Sequence, residues 1–440
     1  MNTFPRVARP LVVRIEMNYA DEQLDIEVPE NRMLAVADFN EVPGVSDEKA
    51  EIERALDNPI GHQGVNSLSS KGKKTVVLVD DATRPTPAYR ILPLLLDRLN
   101  GAGIEDRHII VMAAVGTHRM MNGREMKEKI GEETLRRVSV VSHYWKNKEM
   151  LVDMGKTPSG VPLSVNRRYV EADIKIGIGH IAPHTQAGWT GGAKIVQPGV
   201  CGRETTDYTH WLSAKYDLRD LMGVADNPFR LEVESVVSKI GLDFIVNVVL
   251  NKEEEIVKAV AGDFVKAHRA GVQEAKKIYC SPVTTPADVV VCDAYPSCYG
   301  LDIWQTDKAV MASYLPIKKG GTIILLAPLP EGVSSEHPEL AKFGHKPYAH
   351  MKKLVESGEM TDINAAAASS QVGQVLADDI RVLLYTTGLT KQETESIDYV
   401  YAENPQNAVD ETLKRYDGNS KVLFLKNACE ILPTLQTNNA

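Results

Sequence analysis

Short runs of β-branched and aliphatic residues recur along the chain, at 75–79, 109–113, 174–178, 244–250, 289–292, 322–327, 382–385 and 422–425. Near-continuous apolar character over so few residues is the pattern of a strand buried on both faces. Amphipathic stretches lie between them. Residues 88–100 carry Ile91, Leu92, Leu95, Leu96 and Leu99 on one side, and 231–240, 264–278, 371–379 and 408–416 follow the same helical period. Strands alternating with helices predict an α/β protein, its parallel or mixed sheets covered by helices. The run CSPVTTPAD at 280–288 is rich in Pro, Ser and Thr and separates a long helical pattern from a new strand. It predicts two α/β domains, 1–280 and 285–440. No internal repeat or low-complexity segment is evident, and the tail QTNNA is expected to fray.

Composition narrows the function. The chain has 440 residues, 43% of them apolar and 25% charged, with 59 acidic against 50 basic residues and a formal charge of -9. That balance offers no evident phosphate-neutralising surface and argues against nucleic acid as a partner. No apolar run reaches the ~18 to 20 residues a membrane helix needs. The opening MNTFPRVARPLVVRIEMNYAD lacks the charged start, apolar stretch and small-residue cleavage site of a secretory leader. Five scattered cysteines without a CxxC pair argue against a disulfide framework and a thiolate zinc site, and fit a cytoplasmic location. Oligomeric state is left open. Eleven histidines, several beside glycines, are the feature that calls for chemistry.

Four strings carry that chemistry. In VLVDDATRPTPAYR a buried strand ends in Asp80 and Asp81, followed by Thr83 and Arg84. Ligands of open α/β sheets bind at such carboxyl ends, and the planar guanidinium fork suits a carboxylate or phosphate. The same string also reads as a helix N-cap with an Asp–Arg surface pair. In IIVMAAVGTHRMM a strand runs into Gly116, Thr117 and His118, where a loop histidine is either functional or merely solvated. The third string, IGIGHIAPHTQAGWTGGAKIVQPGVCGRETTDYTHW, holds His180, His184, the small-residue loop around Trp189, Gly191 and Gly192, then Lys194, and His210 in a helix-like stretch. Paired glycines before a lysine can cradle a phosphate, although the Walker spacing is absent. The lysine's other role is covalent, as an amine reacting with a carbonyl. The bland alternative is a loop packed under Trp189 with Lys194 on the surface. In CDAYPSCYGLDIWQTDKAV, Gln305 and Lys308 share one helix face, aimed at an interdomain cleft or simply at solvent.

Together, DDATRPTP, GTHR, PHTQAGWTGGAKIVQPG, the later His210 and WQTDK resemble the lactate racemase family, whose members use a nickel-pincer nucleotide. The resemblance spans about residues 76–330. It implies two α/β domains with the site in the cleft between them. It implies a pyridinium mononucleotide whose sulfur-bearing arms hold nickel through sulfur, carbon and sulfur, with one arm attached to Lys194 and His210 as the fourth ligand. A recombinant protein made without the cofactor pathway is expected to lack it. Imidazole nitrogen suits Ni(II) in a planar site. His118 and His184 match the paired acid–base groups, with His180 competing for the second role. Arg84 and Lys308 match the carboxylate holders, Gln305 accompanies them, and Asp81, Thr83, Trp189, Gly191 and Gly192 are expected beside the cofactor.

The reaction implied is racemisation or epimerisation of an α-hydroxy acid. One histidine takes the hydroxyl proton, the α-hydrogen leaves as hydride to the cofactor, and hydride returns to the other face of the transient keto acid. Trp189, Tyr295, Tyr299 and Trp304 raise the expectation of a substrate larger than lactate, such as a sugar acid or a diacid. Two other readings compete. A metal-dependent hydrolase or dehydratase would use His118, His184 and His210, but lacks short histidine spacing. A nucleotide-cofactor-binding protein without catalysis would need the loop and not two acid–base histidines. The remaining seven histidines are read as surface or packing residues.

Overall fold

A computed structural model describes residues 11–68 and 72–436. The N-terminal residues 1–10 and positions 437–440 of the tail expected to fray lie outside the described residues, as do residues 69–71.

Two six-stranded sheets organise the chain. The first runs in the order Ile256–Gly262, Phe244–Leu250, Ile174–His180, Thr75–Val79, Ile109–Ala113, Ser139–Ser142. It is parallel except for its outermost pair, Phe244–Leu250 against Ile256–Gly262. The second runs Val400–Ala402, Arg381–Tyr385, Ile317–Leu326, Ala287–Asp293, Val422–Leu425, Met33–Ala37, and is parallel throughout. The protein is α/β, and each apolar run read as a strand falls in one of these sheets.

Thr75–Val79 shows why such a run becomes a central strand. Val77 and Val79 point into a core with Ile91, Leu92, Leu95 and Leu96 of the helix Ala88–Gly101. Val76 and Leu78 point to the other face, against Phe229, Val233 and Val237 of the helix Pro228–Ile240. Side chains alternate across the sheet, so covering both faces demands an apolar residue at every position.

Two elements differ from the sequence expectation. The strands Val12–Tyr19 and Glu22–Pro29 form a hairpin packed on the second sheet, with Met17, Ile26 and Val28 against Val289, Val291 and Ile324. Asn18 ties it down by donating from N and Nδ2 to Asp293 Oδ2, at 3.1 and 2.9 Å. Met33–Ala37 then pairs with Val422–Leu425. A boundary at 280–288 therefore does not follow the sheets at the N-terminal end. The partner strand lies at the far end of the chain, and local pattern carries no signal for such a pairing. Second, the helix expected at 371–379 begins much earlier, as Ile363–Ala377. Its first half, INAAAASSQ, is small and buried nearly all round, so no apolar stripe marks it.

Among the described residues no helix is long and apolar enough to cross a membrane, and the five cysteines are unpaired. The carboxyl ends of the strands gather the polar residues. Asp80 and Asp81 follow Thr75–Val79, and His118 follows Ile109–Ala113 by a short loop. His180 closes Ile174–His180, and the helix Ile303–Tyr314 follows the end of Ala287–Asp293.

Candidate active site

A single cavity is lined from both sheets: Asp80, Asp81, Arg84, His118, His180, His184, Gly191, Lys194 and His210 from one, and Trp304, Gln305, Lys308, Asn364, Ala368 and Gln371 from the other. It lies beyond the carboxyl ends of parallel strands, where ligands of such sheets bind.

The DATR turn is built by one carboxylate. Asp81 Oδ1 accepts from Thr83 N at 3.0 Å and Thr83 Oγ1 at 2.6 Å, an Asx turn that aims Arg84. Arg84 Nη1 donates in turn to Thr83 O and Oγ1, at 2.8 and 2.9 Å. Asp81 Oδ2 is left for His118 Nδ1, 2.7 Å away. Burial pushes the Asp81 carboxyl up, but the charges of His118 and Arg84 and its hydrogen bonds outweigh this and hold it well below the usual carboxylate range. Burial lowers His118 against the pull of Asp81. When the ring holds a single proton it lies on Nδ1, facing Asp81, and Nε2 is bare.

The second sheet meets it there. Asp302 caps the helix Ile303–Tyr314 by accepting from Gln305 N at 3.0 Å, which fixes the first turn. Gln305 Nε2 then reaches His118 Nε2 at 3.2 Å, while Gln305 Oε1 accepts from Lys308 Nζ. Lys308 and Arg84 both stand over the ring of Tyr299, at 4.4 and 5.6 Å. Burial, with Arg84 beside it, brings the Lys308 ammonium down to about 7. Both basic groups are thereby held beside one ring.

His184 and Lys194 form a different pair. The loop between them folds back as a two-residue ladder, Pro183–Trp189 and His184–Gly188. Gly188 has φ +70°, and a Cβ there would lie 2.0 Å from Val224 O, so only glycine fits. The buried Arg230 guanidinium pins the loop by donating to the carbonyls of Ala187, Trp189 and Gly191. Asn227 Nδ2 adds a bond to Gln186 O at 2.9 Å. Gln186 N and Ala187 N donate to His184 Nδ1 at 3.1 and 3.2 Å. That leaves the ring proton on Nε2, 2.8 Å from Lys194 Nζ. Burial pushes both groups well below their ordinary values. Lys194, Lys308 and Arg84 add to the effect at His184, and Arg84, Arg230 and Lys308 at Lys194. Charge is thus disfavoured on both groups, and the uncharged amine is the nucleophilic form of a lysine.

His210 sits on the helix Arg203–Ser213. Its Nδ1 donates to Thr206 O at 2.9 Å, and burial brings its pKa to about 3. Nε2 is thus the bare nitrogen, as a metal-ligating imidazole requires. Among the described residues no three His, Cys, Asp or Glu side chains converge on a metal position. A metal hydrolase or dehydratase built on His118, His184 and His210 would need such a convergence.

His180 is held at both ends. Nδ1 lies 3.0 Å from Thr86 Oγ1, which bonds Asp80, and Nε2 lies 3.2 Å from Glu430 Oε1. Burial opposes protonation, yet the bonds and charges of Asp80 and Glu430 raise the ring above its ordinary value. Glu430 also accepts from Tyr299 Oη at 2.7 Å, so His180 is linked to the ring beneath the two cations.

Three expected residues stand elsewhere. Trp189 is fully buried in the core, with Nε1 donating to Gly223 O at 2.8 Å, and does not line the cavity. Gly192 N donates to Asn247 Oδ1 at 2.8 Å, so that amide is not offered to a phosphate. Thr83 lines a neighbouring cavity instead. Sequence reasoning missed Glu430, Asn247, Arg230 and the helix face with Asn364 and Gln371. Asn247 did leave a mark, as a lone polar residue inside the apolar run FIVNVVL.

The family model for the lactate racemase N-terminal domain matches residues 19–219. A lactate racemase from Thermoanaerobacterium thermosaccharolyticum is 31% identical over 330 residues, covering 74% of this chain and 76% of the relative. One from Lactiplantibacillus plantarum is 33% identical over 299 residues, covering 66% and 68%. The lactate racemase apoprotein structure from T. thermosaccharolyticum superposes with a TM-score of 0.83 at 27% identity, covering 96% of this chain and 100% of the other. A Thermotoga maritima protein shares the fold, with a TM-score of 0.73 at 24% identity over 90% of this chain and 100% of the other. The chain belongs to the lactate racemase family.

Proposed function

We propose that the protein inverts an α-hydroxy acid at C2, using a nickel-pincer nucleotide tethered to Lys194. Family membership supports an isomerase, a racemase of hydroxy acids. The observation that carries the finer reading is the Lys194 amine. Burial and the charges of Arg84, Arg230 and Lys308 push it well below its ordinary value, and among the described residues no carboxylate pairs with it. Such an amine is prepared for acylation rather than for an ion pair.

The residues fit the group. Lys194 would hold it covalently, and His210 Nε2 would complete the metal's coordination. When bound, the cofactor supplies an electrophilic centre that takes and returns the α-hydrogen with its electron pair. The protein does the rest. Arg84 and Lys308, spaced by Tyr299, hold the substrate carboxylate in one pose. His118 Nε2, its Nδ1 proton held by Asp81, accepts the hydroxyl proton. His184, protonated at Nε2, starts as the hydrogen-bond donor to the oxygen on the other hand of the substrate. A neutral imidazole that donates can polarise a carbonyl oxygen.

Lys194 and His210 come from residues 1–280, and Gln305 and Lys308 from 285–440. On this reading the first part holds the cofactor and the second contacts substrate. The unpaired cysteines fit a reducing cytoplasm.

The test is protein produced with nickel and the cofactor-building enzymes. Added mass mapped to Lys194 is expected, together with inversion of a 2-deuterated hydroxy acid that keeps its label. An adduct without inversion of any 2-hydroxy acid refutes the racemase reading. Loss of deuterium to solvent refutes transfer of hydrogen with its electron pair.

A further inference from the structure

The cavity's least expected wall is one side of the helix Ile363–Ala377. Asn364, Ala368 and Gln371 are four and three residues apart, share a face, and all line the cavity. Asn364 and Gln371 are each 1% exposed. Asn364 Nδ2 donates to Thr117 Oγ1 at 2.9 Å, next to His118 in the chain. Gln371 Nε2 reaches Ser213 Oγ at 3.4 Å, on the helix that carries His210. This wall therefore runs from the proposed base to the proposed metal ligand. Asn364 Oδ1 is buried and meets no donor. Between the two carboxamides Ala368 is partly exposed and presents only a methyl group to the cavity.

The chemistry of this wall selects among 2-hydroxy acids. The methyl group of lactate would leave Asn364 Oδ1 unsatisfied, and buried acceptors are normally bonded. A second carboxylate would bring acceptors against an acceptor. The lysines and arginines that line the cavity are Arg84, Lys194 and Lys308. The first and last are assigned to the C1 carboxylate, and Lys194 to the tether. A hydroxyl suits the wall in both directions, donating to Asn364 Oδ1 and accepting from an amide N–H. Trp304, which lines the same cavity stacked on His337 at 3.9 Å, adds a flat ring for the C–H face of a polyol chain.

We propose that the substrate is a polyhydroxylated 2-hydroxy acid, an aldonic acid, whose hydroxyls beyond C2 are read by Asn364 and Gln371 on either side of Ala368. This rests on the racemase reading for the reaction but not for the binding.

Two measurements separate them. In cofactor-free protein, calorimetric titration is run with L-threonate, D-arabinonate and D-gluconate against L-lactate and D-malate. At least one aldonate is expected to bind about tenfold tighter than lactate and malate. Asn364→Leu and Ala368→Leu should each erase most of that preference. Lactate or malate binding as tightly as every aldonate, or both variants leaving the preference intact, overturns the proposal. In loaded enzyme, inversion of lactate but of no aldonate also overturns it, with the racemase reading intact. Tight aldonate binding with no inversion of any acid supports the wall and removes the reaction instead.

Discussion

His180 and His184 are four residues apart, yet the fold gives them opposite surroundings. His180 closes a strand and lies between Asp80, reached through Thr86, and Glu430, so burial loses to the carboxylates and the ring's pKa is raised. His184 turns into a loop whose neighbours are backbone N–H groups and the basic side chains Lys194, Lys308 and Arg84, and burial with these neighbours lowers its pKa. The first arrangement is a clamp between the two sheets. The second is a group whose proton can move. Residue type and spacing are the same for both, and the difference lies wholly in what the rest of the chain brings alongside.

The largest expected effect is at the second histidine. His184→Gln should lower kcat by about 10²- to 10⁴-fold, the usual range for a lost acid–base group, with the mass on Lys194 retained. A loss below threefold would erase the distinction.

His180→Gln should act differently. Removing one partner of a buried pair costs about 3 to 5 kcal/mol, so the unfolding midpoint in urea should fall. Tyr299 is loosened through Glu430, so KM should rise by about tenfold while kcat changes less. The double change with Glu430→Gln should recover part of both. A kcat loss matching that of His184→Gln would make His180 the acid–base group.

The pH dependence of stability should separate the pair by sign. His180 has its folded pKa raised, so its contribution is fully present below about 6.5 and is lost as pH rises through the folded value. His184 has its folded pKa lowered, so its contribution is present above about 6.5 and is lost as pH falls. In urea melts, the gap between wild type and His180→Gln should widen toward about pH 5, and the gap for His184→Gln should narrow there. Gaps moving the same way would mean the two sites are alike.

The smallest expected effect on turnover is at Trp189. Trp189→Phe should destabilise by about 1 to 2 kcal/mol, because the Gly223 carbonyl loses its donor. The preference among substrates should stay unchanged. A shift in that preference would place Trp189 at the substrate after all.

Much of the candidate site was legible because its residues cluster just after apolar runs. Arg84, His118, His184, Lys194 and His210 each lie within a few positions of a strand end or on a recognisable helix, and Gln305 and Lys308 open one. Glu430 was not legible, since a single carboxylate in KNACEIL gains meaning only when the second sheet sets it against His180. The amide wall was hidden because a buried Ala- and Ser-rich helix has no polar face to mark its orientation. Trp189 misled because a large ring in a glycine loop suggests a pocket, whereas its burial is governed by the core beneath.

The chain's own pattern determined the α/β class, the strands and the residue types gathered at their ends. These come from side-chain alternation, helical period and the need to cover both faces of a sheet, all of which are local. The tertiary structure alone decided which histidine has its pKa raised and which lowered, how far Lys194 is pushed from its ordinary value and which amides line the cavity. Desolvation and charge depend on distance in space, and the groups that set them lie on the other sheet or hundreds of residues away.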